Sequence, residues 1–254
     1  MTNTERVAVL IDCDNISWKL GAAVLGEAAS KGTLGVKRGY GDWSNPVLSG
    51  WKKQLPILAI QPMQQPAYVT GKNATDSALI IDAMDLLYSG NVDTFFLVSS
   101  DSDFTRLAMR LRESGRRVFG IGAQKTPVAF QNACDRFTFT EVLLQSSDDP
   151  GAEAYELETT AEETLDVKAV PSIESVMVPA LNAMERDDGW APLSSVGTYI
   201  VNNNPTFDSR NYGSPRLGQL VRGLDFVDVK LVSSTDGSEH PYVRLKPRPG
   251  SRGT

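Results

Sequence analysis

Leu97-Val98-Ser99-Ser100-Asp101-Ser102-Asp103-Phe104 is a short apolar run that stops at two carboxylates spaced one residue apart. Phe95 to Val98 reads as a buried parallel strand and Asp103 to Arg112 carries helical spacing, so both acids fall where strand gives way to helix. In open α/β sheets that junction is where the chemistry usually sits. Asp103 at a helix N-terminus can act as a cap worth ~1 kcal/mol. One cap does not need two acids. The start of the chain repeats the pattern, because Val7 to Ile11 runs straight into Asp12-Cys13-Asp14-Asn15. Two acidic strand ends in one domain point to a metal site.

Around these two junctions, residues 6 to 139 alternate strand-like and helix-like segments with short polar joins, the signature of an α/β, Rossmann-like parallel sheet flanked by helices. The predicted strands are Val7–Ile11, Leu34–Tyr40 (interrupted by Gly39 and Gly41), Ile57–Ile60, Thr94–Val98 and Arg117–Ile121. Helices are predicted at Ser17–Ala29, with Trp18, Ala22, Leu25 and Ala29 on one side, and at Asn45–Leu55, with Pro46 in the first turn. Further helices are expected at Thr75–Tyr88 and Asp103–Glu113, and the segments Thr126–Ala133 and Phe137–Phe139 finish the domain.

From Ser146 the composition changes, and residues 146 to 171 read as an acidic flexible linker. Helical spacing resumes at Ile173, Val176, Ala180, Leu181 and Met184. Two more helices are suggested at Leu193–Val201 and Pro215–Leu224, followed by short strands at Phe226–Leu231 and Tyr242–Leu245. Three helices and a terminal hairpin describe a small winged-helix module. The organisation expected is a catalytic domain over residues 1–145, the linker, a winged-helix domain over 172–248, and a disordered tail over 249–254.

Charge follows the same divisions. The net charge is -6, yet residues 1–145 hold 15 Lys and Arg against 14 Asp and Glu, residues 146–171 hold 1 against 8, and residues 172–254 hold 9 against 9. If several Asp of the first domain gather around a metal, the rest of its surface is net basic, which suits a polyanionic substrate. Cys13 and Cys134 form no zinc spacing or disulfide framework. With no signal-peptide pattern and no run of membrane-spanning length, the expected address is the cytosol, without a membrane partner.

A third acid joins the two strand-end clusters. In Asn73-Ala74-Thr75-Asp76-Ser77, Thr75 is an N-cap candidate and Asp76 lies in the first turn. Helical spacing puts Asp76 on one face with Ile80, Ala83 and Leu87, which must face the sheet, so Asp76 points along that face toward the strand ends. Asp82 and Asp85 fall elsewhere and read as solvated or structural. Convergence of Asp12, Asp76, Asp101 and Asp103 would cost about 4 kcal/mol per like-charge pair at ~4 Å and an effective dielectric of ~20. A hard divalent cation, Mg²⁺ or Mn²⁺, is the natural partner for such oxygens. The sole histidine, His240, lies in the second module, so histidine acid/base catalysis is excluded for the first.

Asn15 can orient a ligand or cap the following helix, and Ser100 or Ser102 can hold an outer hydrogen bond or cap. Lys72 precedes the Asp76 helix, where it would either meet a substrate phosphate or stand as an exposed loop lysine. Lys37, Arg38, Lys52 and Lys53, interleaved with Tyr40, Trp43 and Trp51, could supply phosphate contacts and stacking surfaces for single-stranded nucleic acid. At least one of those tryptophans is expected in the core.

Asp12 to Asn15 after a strand, Arg38-Gly39-Tyr40-Gly41-Asp42-Trp43, Gly71-Lys72-Asn73-Ala74-Thr75-Asp76 and Ser99-Ser100-Asp101-Ser102-Asp103-Phe104 together resemble an NYN domain, a branch of the PIN-like nucleases, over roughly residues 5 to 143. The resemblance implies a metal-dependent ribonuclease acting on RNA, with Asp12, Asp76, Asp101 and Asp103 as metal ligands and Asn15 in support. PIN-like domains often pair, so a homodimer is compatible with it. Asp188-Gly189-Trp190, Asn204-Pro205-Thr206-Phe207-Asp208 and Arg210-Asn211-Tyr212-Gly213, followed by Leu217 and Leu220, are similar to the LOTUS or OST-HTH domain, an RNA-binding winged helix found beside NYN domains. This makes Arg210 and Tyr212 candidates for RNA contact, although these residues equally suit the fold's own turns and core. The module could also take a protein partner.

Two other readings compete. The acidic site could be idle in an RNA-binding or scaffold protein. Alternatively, Asp12-Cys13-Asp14 imitates the motif of haloacid-dehalogenase-like phosphatases with Asp12 as nucleophile, but Ile16 stands where that family places Thr or Val.

Overall fold

A strand flanked by helices on both faces must be apolar at consecutive positions, and two strands meet that condition most fully. In β1 (Arg6–Asp12) every residue but the first is buried. In β4 (Thr94–Val98) all are. They form the centre of a six-stranded parallel sheet completed by β2 (Thr33–Gly41), β3 (Gln61–Gln64), β5 (Arg117–Gly122) and β6 (Arg136–Phe139), in the order β3-β2-β1-β4-β5-β6. The computed structural model describes residues 5–64, 74–145, 170–233 and 239–246, and the chain divides into two compact units, Met1–Val167 and Lys168–Thr254. The expected tail and nearly all of the expected linker lie outside the described residues, as does Lys72.

The first unit's helices are α1 (Gly21–Ala29), α2 (Ser49–Leu58), α3 (Ala74–Tyr88), α4 (Thr105–Glu113), α5 (Val128–Ala133) and α6 (Thr140–Gln145). Val7, Val9, Ile11, Phe96 and Val98 pack in one cluster with Leu20, Val24, Trp51 and Leu55. The intervening Ala8, Leu10, Phe95 and Leu97 are equally buried and point to the opposite face by the strand's period of two, where α3 meets β1 and β2. Strands are added outward from β1 through β2 to β3, and α3 then returns the chain to β4 on the other side of β1. The β1/β4 boundary is therefore the topological switch point, and the crevice beyond its carboxyl ends is where such sheets bind ligands.

Three local expectations change. The buried stripe of α1 is Gly21, Val24 and Ala28, following Leu20, while Ala22 and Ala29 are exposed and Trp18 is 38% exposed. This segment is apolar nearly all round, so spacing alone does not select its face. Ile57–Ile60 is not a strand. α2 continues through Pro56, on the helix's exposed side, where the carbonyl that proline leaves without a donor can meet water. The helix then closes at Ala59 in the left-handed region (φ 50°), with Ile60 N–H donating to Leu55 O at 2.9 Å in a Schellman-type end, and β3 begins only at Gln61. β2 runs uninterrupted through its glycines. A Cβ at Gly39 would stand 2.9 Å from Cys13 Sγ, and one at Gly41 2.7 Å from Leu48 Cδ1, so these glycines admit neighbouring side chains without breaking the strand. Of the two closing segments, Thr126–Ala133 yields a helix from Val128 and Phe137–Phe139 falls in β6.

The second unit comprises α7 (Ile173–Met184), β7 (Ala191–Pro192), α8 (Leu193–Asn203), α9 (Leu217–Arg222), β8 (Val227–Ser233) and β9 (Glu239–Leu245). Its antiparallel sheet has the order β7-β9-β8. Val176, Met177, Ala180, Leu181, Val196, Ile200, Val221 and Val243 make its core. Three helices against a small sheet form a winged-helix-like module. β7 adds a strand to the expected hairpin, and α9 is shorter than the spacing suggests because Gly223 ends it.

Candidate metal centre

Asp12 is the last residue of β1, and there the chain turns sharply. Asn15 and Ile16 N–H both donate to the Asp12 carbonyl, at 3.3 and 3.0 Å. The turn brings the Asn15 amide to Asp12 Oδ2 at 2.7 Å, and from the end of β4 the Ser99 hydroxyl donates to the same oxygen at 2.7 Å. Asp12 is wholly buried, and its other oxygen, Oδ1, is buried without a hydrogen-bond partner among the described residues. Burial pushes its carboxyl above the usual range, against the two hydrogen bonds and with a smaller push from Asp14.

Ser99 also accepts from Asp101 N–H at 3.1 Å, which aims the next turn. Asp101 Oδ1 then caps the 3-10 turn Ser102–Phe104 by accepting from Asp103 N–H at 2.8 Å. Buried Phe104 anchors this turn. Across from it, Asp76 stands in the first turn of α3, whose start is tied to the β1 end by Thr75 Oγ1 donating to Asp14 Oδ2 at 2.9 Å. One carboxylate oxygen from each of Asp76, Asp101 and Asp103 lies within 4.8 Å of the others. Asp12 is not one of that three. It is close enough for its charge to act on Asp76. The Asp76 carboxyl is pushed up to about 6, first by burial and then by the charges of Asp12, Asp101, Asp103 and Asp14. Among the described residues, neither Asp76 nor Asp101 makes an ion pair with Lys or Arg.

Three converging carboxylates and a buried carboxylate oxygen without a donor among the described residues fit a hard divalent cation, which takes oxygen ligands and offsets their repulsion. Without an ion, the same crowding favours a proton on Asp76. The folded Asp76 ionises near pH 6 against a reference value of 3.8, so between those values the folded chain binds more protons than the unfolded one, and stability falls as pH rises through that window. Urea unfolding in chelator should therefore show Asp76→Asn gaining on wild type from pH 4 to pH 7. An unchanged gap would remove the repulsion from the site.

The remaining candidates divide between fold and surface. Arg38 is ion-paired to Asp82 on α3, and the buried Tyr40 hydroxyl donates to the other oxygen of that carboxylate. This pair ties β2 to the helix that carries Asp76. Lys37 Nζ donates to Leu58 O at 2.7 Å. Trp51 is core, its indole N–H on Ile16 O at 2.8 Å. Trp43, by contrast, is only half-buried. Its Nε1 is fixed on Met63 O at 3.0 Å, and with Lys52, Pro56 and Gln64 it lines an open cavity of about 530 Å³ beside β3. In the second unit Arg210 holds the buried Asp208 through Nε at 3.0 Å and Nη2 at 2.7 Å, and Tyr212 donates to Pro171 O at 2.9 Å. Both serve the module's own structure. Sequence reasoning missed Ser99, which links Asp12 to Asp101, and Asp14, which receives Thr75. The Ser-Ser doublet after β4 was the available signal, and Ser100 took the other task, accepting from Ala123 N–H at 2.9 Å.

A Rossmann-like parallel sheet with carboxylates gathered at its switch point defines a PIN-like α/β domain. The family model described as NYN domain matches residues 6–144, more than half of the sequence, and the chain belongs to that family. A second, described as OST-HTH/LOTUS domain, matches residues 167–237. The chain thus joins a domain of a nuclease family to one of an RNA-binding family, in the order its motifs suggest. No curated protein matches it. Among solved structures, it is similar to a Vibrio parahaemolyticus protein of unknown function, with 20% identity over 55% of this chain and 94% of that one, and a TM-score of 0.47. An uncharacterized protein of Nitrosomonas europaea shows 29% identity over 43% of this chain and 95% of its own, with a TM-score of 0.28. A Chromobacterium violaceum protein shows 36% identity over 32% of this chain and 90% of its own, with a TM-score of 0.25. No helix among the described residues is long and apolar enough to cross a membrane.

Proposed function

We propose that the protein is a Mg²⁺- or Mn²⁺-dependent ribonuclease that hydrolyses RNA phosphodiester bonds, with its C-terminal module binding the RNA. The observation that carries this reading is the meeting of Asp76, Asp101 and Asp103 at the β1/β4 switch point. In this reading Asp76, Asp101 and Asp103 hold the ion, and they need the charge of nearby Asp12 to hold it tightly. A divalent ion bound there supplies an activated water and offsets the charge that builds on the phosphate. Asn15 and Ser99 keep the Asp12 carboxylate in one orientation, and the Asp101 cap fixes the turn that presents Asp103. The half-buried Trp43 ring and Lys52 offer a base a stacking surface and a phosphate a cation. A phosphatase using Asp12 as nucleophile fits poorly, because that carboxylate is wholly buried.

Purified protein given end-labelled single-stranded RNA should cleave it with added Mn²⁺ or Mg²⁺ and stop on chelation. RNA binding without cleavage under any divalent ion would replace this reading with that of an RNA-binding scaffold.

A further inference from the structure

The wing of the second unit shows two unlike faces. Val227 and Val243 point into the core, and by the strand's period of two their neighbours point outward. On that outer face Lys230 is paired across the ladder with Tyr242, and Asp228 with Arg244. Trp190 leads into the third strand and stands beside them. Arg186 lies over the Tyr242 ring at 5.6 Å, Lys230 over both Tyr242 at 5.8 Å and Trp190 at 4.2 Å, and Arg244 over Trp190 at 4.6 Å. The result is a ladder alternating cation and ring: Arg186, Tyr242, Lys230, Trp190, Arg244. Three of the module's cations are thus gathered on one strip, although residues 172–254 carry as many acids as bases. Asp188 and Asp228 touch two of them, at 3.7 Å from Lys230 and 3.0 Å from Arg244, and Arg186 reaches the Tyr242 hydroxyl at 3.4 Å. A groove of about 540 Å³ opens next to the ladder, sharing Arg186 and Tyr242 with it and running to Ser194, Thr198 and Leu217.

We propose that this strip is the module's binding face for single-stranded RNA, with bases stacking on Tyr242 and Trp190 and phosphates meeting Arg186, Lys230 and Arg244. Rings and cations at alternating positions match the alternation of bases and phosphates along an unpaired strand, and every base offers a π-face to such a platform. Surface ion pairs with Asp188 and Asp228 are weak enough to exchange for a phosphate. The groove beside Tyr242 has room for a base turned out of the strand. The assignment rests on the RNA-binding reading of this module and shifts its contacts from Arg210 and Tyr212 to the wing.

The test is fluorescence anisotropy of the full chain with labelled RNA in chelator, so that no cleavage intervenes. Arg186→Gln/Lys230→Gln/Arg244→Gln together should weaken binding by about tenfold or more and flatten the salt dependence by about two logarithmic units per decade, as three lost phosphate contacts require. The part of the tryptophan emission that Trp190→Phe removes should be quenched by single-stranded RNA and less so by duplex. Wild-type affinity and salt slope in the triple variant would overturn the assignment and leave the strip to a protein partner, with RNA binding by the chain intact. Failure of the wild-type chain to bind RNA would instead overturn the RNA-binding reading itself. Equal affinity for duplex, with the same quenching in wild type and Trp190→Phe, would overturn the stacking mode. If the triple variant melts early, Arg186→Gln alone should still weaken RNA binding in chelator by about twofold or more and flatten the salt slope by about 0.7, as one lost phosphate contact requires, and an unchanged slope would overturn the face.

Discussion

Replacing Asp101 with Asn is expected to lower RNA cleavage by about 10³-fold, which corresponds to losing the several kcal/mol that a positioned metal contributes, while the protein stays folded. The control lies in what Asp101 does besides facing Asp76 and Asp103. Its Oδ1 accepts from Asp103 N–H at 2.8 Å and caps the turn at Ser102–Phe104. Asn keeps that acceptor and ranks with Asp as a cap, so the turn and the buried Phe104 beneath it should stay in place. Removing one of three clustered charges also relieves repulsion in the metal-free state. Asp101→Ala differs in this respect, because it deletes the cap as well and should cost about 1 kcal/mol of stability. Cleavage assays on both variants, with urea midpoints, separate the two roles. Cleavage by a clean Asp101→Asn preparation at near wild-type rate would remove this site from the chemistry.

The centre of the sheet was legible because burial on both faces forces long apolar runs, and Val7–Ile11 and Phe95–Val98 have no other simple use. Their abrupt acidic ends exposed the site for the same reason, since a carboxylate directly after a buried strand needs an explanation. Edges were less legible. β3, Gln-Pro-Met-Gln, is mostly exposed and carries no apolar pattern, so the apolar Ile57–Ile60 took its place in the reading. The basic residues Lys37 and Arg38 looked like phosphate contacts, yet one is engaged with a backbone carbonyl and the other with Asp82. Sequence gives a side chain's charge but not its nearest opposite charge, 44 residues away for Arg38. The wing ladder was hidden similarly, because Arg186, Trp190, Lys230, Tyr242 and Arg244 come together only when β8 and β9 pair.

Asp12→Asn should raise stability without metal and abolish the stabilisation that metal confers, a reversal that a purely structural Asp12 would not show. The wild-type carboxylate is wholly buried, with Oδ2 held by Asn15 and Ser99 and Oδ1 without a partner among the described residues. An Asn can place its carbonyl where Oδ2 stands and keep both hydrogen bonds, and its amide, set where Oδ1 stands, is unsatisfied as that oxygen is but carries no charge. Shape is preserved and a buried charge removed. Leaving a buried group unsatisfied costs about 1–3 kcal/mol, more when it is charged, so the metal-free variant should melt several degrees higher at about 2–4 °C per kcal/mol. The advantage should be greatest near neutral pH. Burial raises the folded Asp12 carboxyl above its unfolded value, so the wild-type penalty grows as pH rises from the unfolded value through the folded one and shrinks again in acid. With Mn²⁺ at about 100 times its dissociation constant, the wild type should gain about 2.7 kcal/mol. The variant, lacking the charge near Asp76, should gain little. Melting curves for both proteins, with chelator and with Mn²⁺ at pH 7, should therefore cross in order. A variant less stable than wild type in chelator would mean that the carboxylate's own hydrogen bonds outweigh its desolvation. A variant stabilised by Mn²⁺ as much as wild type would show that Asp76, Asp101 and Asp103 hold the ion without Asp12.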